Sequence, residues 1–308
     1  MSAALQILIH CPPFITELKN CHPTNKISKT FLTMCYEMAK NIKSFSPIEM
    51  KKVFEENHHD YVGYKQHDSM EYFRLLLDDI SKENNIVNEE EIKKVKYEEL
   101  STKNKSKYEI NRDYDLLYRK RENSFVINLF YPQLINTFQC KCGYISYSFE
   151  KIIDIPLLLI NEKTLSLEKL LDHYFSEENF KWESNCEKCK KKEYHTKNTK
   201  FISLPKILIF SFQRINERLH TKNDIPISFS TQININKYCD EIKNYDECNY
   251  SLFGISNHCG SIDFGHYYAK CKINDQWYEF NDSNVSIDKS ISTNLSSVYC
   301  LFYINNNQ

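Results

Sequence analysis

Glycine and proline are scarce in this sequence, at 5 and 8 of 308 residues, so each one is informative about a turn. No apolar run approaches the roughly 18–20 residues of a membrane span. Met1–Ile9 is apolar, but it is short and lacks the basic start of a signal peptide. Neither sign of charge is in excess: 26% of residues are charged and the net charge is −1. That balance argues against a nucleic-acid partner and against a membrane-surface one. No internal repeat is apparent. Asn, Lys and Ile are abundant, which is a compositional bias and not a chemistry. A chain of this length can bury a large core, as one domain or as two or three subdomains.

Cysteine is plentiful, with 12 in the chain. An even count fits disulfides in a secreted protein, but no secretory signal accompanies it. A reduced, intracellular protein, cytoplasmic or nuclear, with one metal site fits better. Eight cysteines are scattered and read as small buried apolar groups. The other four fall into two tight pairs, Cys140-Lys-Cys142-Gly143 and Cys186-Glu-Lys-Cys189, with 43 residues between Cys142 and Cys186. Two such pairs can form a Cys₄ structural zinc site, and a Zn²⁺ ion joining two hairpin tips would offset a small core. Four free thiols is the alternative. Phe138, Tyr144 to Phe149 and Phe201 to Leu204 around the pairs are strand-like.

The stretch from Tyr250 to Val285 reads as strand, polar loop bracketed by Gly260 and Gly265, strand, turn, strand. His266 enters the second strand and Asn281 ends the third. A hairpin brings the two close, although fifteen positions separate them. A histidine oriented by a side-chain amide is two thirds of a nucleophile–base–orienter triad. It is equally a partly buried histidine beside a turn asparagine. Elsewhere, Met1–Ile9 is a good helix former that His10-Cys-Pro-Pro-Phe14 ends. Ser28 to Ile42 reads as a helix with Phe31, Met34, Cys35 and Met38 on one face. Met70, Phe73, Leu77 and Ile80 follow helical spacing behind Asp68 and Glu71, which stand at N-cap and N3. Lys82 to Arg119 is charged and weakly periodic, a solvated helix plus a linker. Leu204 to Arg214 is an apolar core strand, Asn216 to Asp224 a polar loop, and Val298 to Tyr303 the last strand.

Five ordered segments resemble the ubiquitin-specific proteases, which are papain-like cysteine isopeptidases. Asn257-His-Cys-Gly-Ser through Gly265-His266-Tyr267, then Trp277-Tyr-Glu-Phe-Asn-Asp-Ser-Asn-Val285, resembles their histidine box. Tyr64-Lys-Gln-His-Asp-Ser-Met-Glu-Tyr72 is similar to their Gln-Gln-Asp-Ala-x-Glu-Phe box. Ser124 to Leu134 is similar to their link into the finger strands. Leu204-Pro-Lys-Ile-Leu-Ile-Phe-Ser-Phe-Gln-Arg214 is similar to their Leu-Pro strand. Met1-Ser-Ala-Ala-Leu-Gln6 matches their cysteine box, Asn-Thr-Cys-Tyr-Met-Asn-Ser-x-Leu-Gln, from its methionine onward. The first cysteine pair is C-x-C, one residue short of the family's C-x-x-C. The match runs over residues 1 to about 304.

The resemblance implies an α+β, papain-like fold of the ubiquitin-specific protease type. A helical thumb would span 1–120, zinc-bearing β fingers 121–203 and an antiparallel palm 204–308, in one catalytic domain. It implies hydrolysis of the bond after ubiquitin's C-terminal glycine, through a thioester, with ubiquitin and ubiquitinated proteins as partners. His266 would be the general base and Asn281 its orienter, with Asp282 a second candidate for that role. Asp68 and Glu71 would meet the arginines of ubiquitin's tail. Gly265 would let the tail's backbone approach, beside Tyr267. Cys140, Cys142, Cys186 and Cys189 would hold zinc. The nucleophilic cysteine would align two residues before Met1, so the chain as written is expected to be inactive. Either an active enzyme is meant, or a ubiquitin-binding protein that does not cut. A zinc-ribbon nucleic-acid binder would want a basic stripe that is not supplied.

Overall fold

The structure, a computed structural model, describes residues 1–40, 45–63, 65–94, 105–181, 185–216, 218, 220–241, 245–262 and 264–307. Its helices are α1 Ser2–Ile9, α2 Pro12–Asn20, α3 Lys26–Lys40, α4 Ile48–Asn57, α5 Ser69–Glu83, α6 Glu89–Lys94, α7 Lys107–Arg119, α8 Phe125–Phe130 and α9 Leu167–Tyr174. Strands follow as β1 Gln133–Cys140, β2 Ile145–Lys151, β3 Ile155–Leu158, β4 Leu165–Ser166, β5 Glu178–Lys181, β6 Tyr194–Ser203, β7 Ile207–Gln213, β8 Ile215–Asn216 and β9 Thr221–Lys222. The rest are β10 Ile227–Ser228, β11 Gln232–Asn234, β12 Asn249–Gly260, β13 Gly265–Ile273, β14 Gln276–Asn281, β15 Asn284–Asp288, β16 Asn294–Leu295 and β17 Val298–Asn305.

Helix α1 has no side-chain cap and buries Ala3, Ala4, Leu5, Ile7 and Leu8. Packing, not propensity, therefore holds so short a helix. Pro12 and Pro13 do end it, but by occupying the first turn of α2, where a missing N–H costs nothing. The apparent stop is a helix–helix corner. The expected end of the third helix at Asn41 and Ile42 lies outside the described residues, as do Tyr64, 95–104 of the charged stretch, and positions 217 and 219 of the polar loop. On either side of 95–104 that stretch forms α6 and α7.

The central sheet runs β15-β14-β13-β12-β17-β7-β3, with β11 also on β12. Its pairs are antiparallel except β3, which lies parallel to β7. Strand β7 is buried on both faces, as a run of apolar residues requires. Ile207 and Ile209 join the core under the helices, while Leu208, Phe210 and Phe212 join a second core. Strand β17 alternates in the same way, Cys300 and Phe302 against Leu301 and Tyr303. Period two thus makes the sheet a middle layer between the thumb-like helices and a cover that includes α9. A separate sheet, β2-β1-β6-β5, forms the fingers. Residues 155–174, inside the span expected for the fingers, instead supply β3 to the central sheet and α9 to its cover. The architecture is α+β.

Two polar ties join helices to sheet. Asp68 caps α5, its Oδ1 accepting from the N–H groups of Met70 (2.7 Å) and Glu71 (2.9 Å). One turn on, Arg74 donates from Nε and Nη2 to both oxygens of Asp154, each at 2.8 Å. Asp154 is 5% exposed and also accepts from the Ser211 hydroxyl of β7. Removing one partner of such a pair leaves a buried charge or donor uncompensated. Asp154→Asn should lower the unfolding free energy by roughly 2–3 kcal/mol in a urea titration. Lys52→Gln, in the exposed pair with Glu49, should change it by less than about 0.5 kcal/mol.

Candidate active site

His266 is the second residue of β13, and Asn281 is the last of β14. The turn between these strands places Asn274 (φ +47°) and Asp275 (φ +63°) in the left-handed region, the pattern of a tight hairpin. Its register sets Ala269 opposite Phe280, which carries Asn281 toward the start of β13. The result is a contact of 2.7 Å between His266 Nε2 and Asn281 Oδ1. An amide oxygen only accepts, so Nε2–H donates and Nδ1 keeps its lone pair. Asp282 sits in the next turn at φ +52°, which swings its carboxylate outward. Its oxygen is 4.0 Å from the same nitrogen and its side chain is 70% exposed, so Asn281 is the orienting contact. The amine of Met1, cap residue of α1, is lowered by burial, opposed by the charges of Asp282 and Asp68. The start of α1 therefore lies within reach of the charges of Asp282 and Asp68.

A cleft of about 470 Å³ lies between α5 and the sheet, and Tyr267, the residue after His266, lines it. Its walls include Gln66, Asp68, Arg74, Arg214, His258, Tyr267 and Tyr299. Asp68 faces it with few lone pairs to spare. Oδ2 accepts from the Tyr299 hydroxyl and, at 3.5 Å, from that of Tyr267, while Oδ1 caps α5. Burial and then the Asp68 charge push both phenols up. Glu71 is exposed on the first turn of α5 and lies outside the cleft lining, near Tyr61. Gly265 is explained differently from the expectation. A Cβ there would meet His258 Nε2 at 1.9 Å, so an internal ring already demands the glycine.

Several cleft residues carry no local signal in the sequence. His258 is 4% exposed, its ring 4.5 Å from that of Tyr267. Arg214 is buried and donates to the carbonyls of Val298 (2.6 Å), Asn223 (2.8 Å) and Ile225 (3.0 Å). Burial lowers it to about 10. Lys222, 6% exposed, donates to Gly260 O at 2.8 Å and pairs with Asp224 at 2.9 Å. Arg214 thus fixes residues 223–225 to the last strand, and Lys222 fixes them to the β12–β13 turn.

At the fingertips the four paired cysteines converge. Cys140 and Cys189 sulfurs are 4.0 Å apart, Cys142 and Cys186 3.7 Å, and all four lie within 4.8 Å. Zn–S bonds of about 2.3 Å give a tetrahedron with edges of roughly 3.8 Å, so the donor set fits a tetrathiolate ion. The short C-x-C spacing works because Gly143 turns at φ +80°, its N–H donating to Cys140 O at 2.8 Å. Backbone N–H groups of Cys189 and then Lys188 lower the Cys186 thiol to about 7, favouring a ligating thiolate.

Residues 1–303 match the family described as ubiquitin carboxyl-terminal hydrolase. The chain belongs to that family. It is 31% identical over 325 residues to ubiquitin carboxyl-terminal hydrolase Usp2 of Drosophila melanogaster, covering 98% of this chain and 33% of that protein. Against ubiquitin carboxyl-terminal hydrolase 2 of Gallus gallus it is 30% identical over 275 residues, 84% of this chain and 74% of the other. The bovine form is matched over 43% of its length. This chain thus spans from a third to three quarters of these relatives. The SAGA Ubp8/Sgf11/Sus1/Sgf73 DUB module bound to ubiquitin aldehyde superposes with a TM-score of 0.75 at 22% identity, over 99% of this chain and 66% of that one. The same module bound to monoubiquitin gives 0.73 at 23%. At such identities the likeness speaks for the fold, which is the ubiquitin-specific protease fold.

In this chain the Tyr299–Asp68 bond joins the last strand to the cap of α5. Hydrogen bonds to a charged group contribute about 1.5–3 kcal/mol. Tyr299→Phe should lower thermal stability by an amount in that range, read by calorimetry. An unchanged melting temperature would show that Asp68 finds water instead.

Proposed function

We propose that this chain forms the ubiquitin-tail cleft and the general base of a thiol-dependent deubiquitinase, with His266 as base and Asn281 as its orienter. The observation that carries this reading is the Nε2–H bond to Asn281, which leaves Nδ1 free to take a proton. The relatives are ubiquitin hydrolases by name, and the fold neighbours were solved with ubiquitin or its aldehyde bound. In the reaction, a thiol at the N-terminus of α1 gives its proton to His266, and the thiolate attacks the carbonyl carbon of ubiquitin's last glycine. The leaving amine takes the proton from the imidazolium, and water then opens the thioester. A helix N-terminus is the setting that favours the thiolate. Glu71 is the freer carboxylate for the tail's arginines, because Asp68 is already bonded on both oxygens. Gly265 and Tyr267 border the end of the tail path.

We propose further that none of the twelve cysteines serves as nucleophile. Cys11 follows α1 and is the N-cap of α2, but burial raises it to about 12, and Cys271 and Cys300 are buried and raised. Cys35 is raised to about 12, and Cys21, Cys239 and Cys248 are raised as well, all chiefly by burial. Four sit at the fingertips. Cys259 is exposed and stands opposite His266 in the register, but on a strand and not at a helix N-terminus. This distribution favours a second reading as well, a protein that binds ubiquitin without cutting it. Residues 1–308 should bind ubiquitin and fail to cleave a ubiquitin fluorogenic amide. A form extended upstream through Asn-Thr-Cys-Tyr should cleave it, and lose the activity on Cys→Ala. Cleavage by 1–308 that survives alkylation and Cys259→Ala would overturn the assignment. No cleavage by the folded extended form would favour the binding protein.

The fingertip cysteines are proposed to hold one structural Zn²⁺. Elemental analysis of purified 1–308 should give about one zinc per chain, and Cys189→Ala should abolish it. Metal-free protein with intact fingers would sink this assignment.

A further inference from the structure

The ring of His258 has no part in the scheme above, and its surroundings are unusual. Its N–H donates to Ser297 O at 2.8 Å, which fixes the backbone. Its ring lies 4.5 Å from that of Tyr267 and 6.0 Å from that of Tyr299. Its Nδ1 is buried and has no hydrogen-bond partner among the described residues. A buried nitrogen without a partner is costlier than an apolar ring of the same shape, so hydrogen bonding does not explain the residue. Burial, and then the Lys222 cation, lower its basicity and keep the ring neutral. What the ring does touch is the backbone before His266. The three atoms nearest a Cβ built on Gly265 all belong to it, at 1.9, 2.8 and 2.9 Å. On the other side, the Gly265 N–H donates to Gln66 Oε1 at 3.1 Å.

We propose that His258 is a positioning residue for His266. Its imidazole occupies the space that a side chain at 265 would fill. Together with Gln66 it sets the height of the Gly265–His266 backbone, and so the reach of His266 to Asn281. The proposal rests on the reading of His266 as the base, but its geometry can be tested without turnover. It also predicts a compensation. Removing the ring frees the room that a methyl at 265 needs.

Residues 1–308 labelled with nitrogen-15 serve for the test, with His266 ring signals assigned by their loss in His266→Gln. In the unmodified chain His266 should be chiefly the Nε2–H tautomer. His258→Ala and Gly265→Ala should each shift that tautomer population by roughly twofold or more. The double variant should lie closer to the unmodified chain than Gly265→Ala does. If Gly265→Ala does not fold, folding of the double variant would be the same compensation. A double variant no better than Gly265→Ala, or His266 signals unmoved in folded His258→Ala, would overturn the proposal and leave His258 a packing residue. Ubiquitin titrated into the same samples separates the two claims. An unmodified chain that binds no ubiquitin would sink the proposed function, while the ring signals would still decide the role of His258.

Discussion

The cleft depends on how one carboxylate divides its lone pairs. Asp68 gives Oδ1 to the free amides at the start of α5 and Oδ2 to two tyrosines on β13 and β17. It therefore caps a helix and docks that helix on the sheet with the same group. Charge-assisted bonds of this kind are short and about twice as strong as neutral ones. Arg74, Asp154 and Ser211 repeat the arrangement one turn along α5. Beneath both ties the apolar core is continuous from α1, α2 and α5 to β7 and β17. Apolar packing brings helices and sheet together without fixing an angle between them. The polar ties fix it, and so set the width of the cleft.

From that junction the geometry passes along side chains to the histidine. Tyr267 and Tyr299 are held by Asp68, and both flank the ring of His258. His258 lies under Gly265, and His266 follows. On the far side, residues 223–225 are fixed by Arg214 and Lys222, so the polar loop ends on the same frame. His266 thus stands on backbone held by thumb, sheet and loop at once.

Much of this was legible in the sequence where the controlling distance is short. The hairpin spacing of His266 and Asn281, the Asp68 cap and the two cysteine pairs each follow from local geometry. The choice between Asn281 and Asp282 was not legible, since it turns on a left-handed φ at Asp282. The second helix hid behind Pro12 and Pro13, which read equally as a stop and a start. Strand β3 and the Asp154 partner of Arg74 depend on contacts far apart along the chain, and spacing carries no signal for those. Gly265 was read as room for a ligand because glycine in a loop announces only that space is needed. Which atom needs it, here His258 Nε2, is a fact of three dimensions.

The His266–Asn281 pair stands apart from these ties in one respect. The side chain of His266 is 46% exposed, and one hydrogen bond of 2.7 Å holds its ring. Such a bond contributes about 0.5–1.5 kcal/mol, and less where water competes for both partners. The ties at Asp68 and Asp154 join different elements, whereas this bond links two strands already paired through their backbones. The fold would stand with either residue replaced. Folding therefore gives little account of an exposed histidine whose Nε2 is held by an amide oxygen. The proposed role in proton transfer would account for it, because a base must keep a defined lone pair in a defined place, and an amide acceptor on Nε2 is enough to do that.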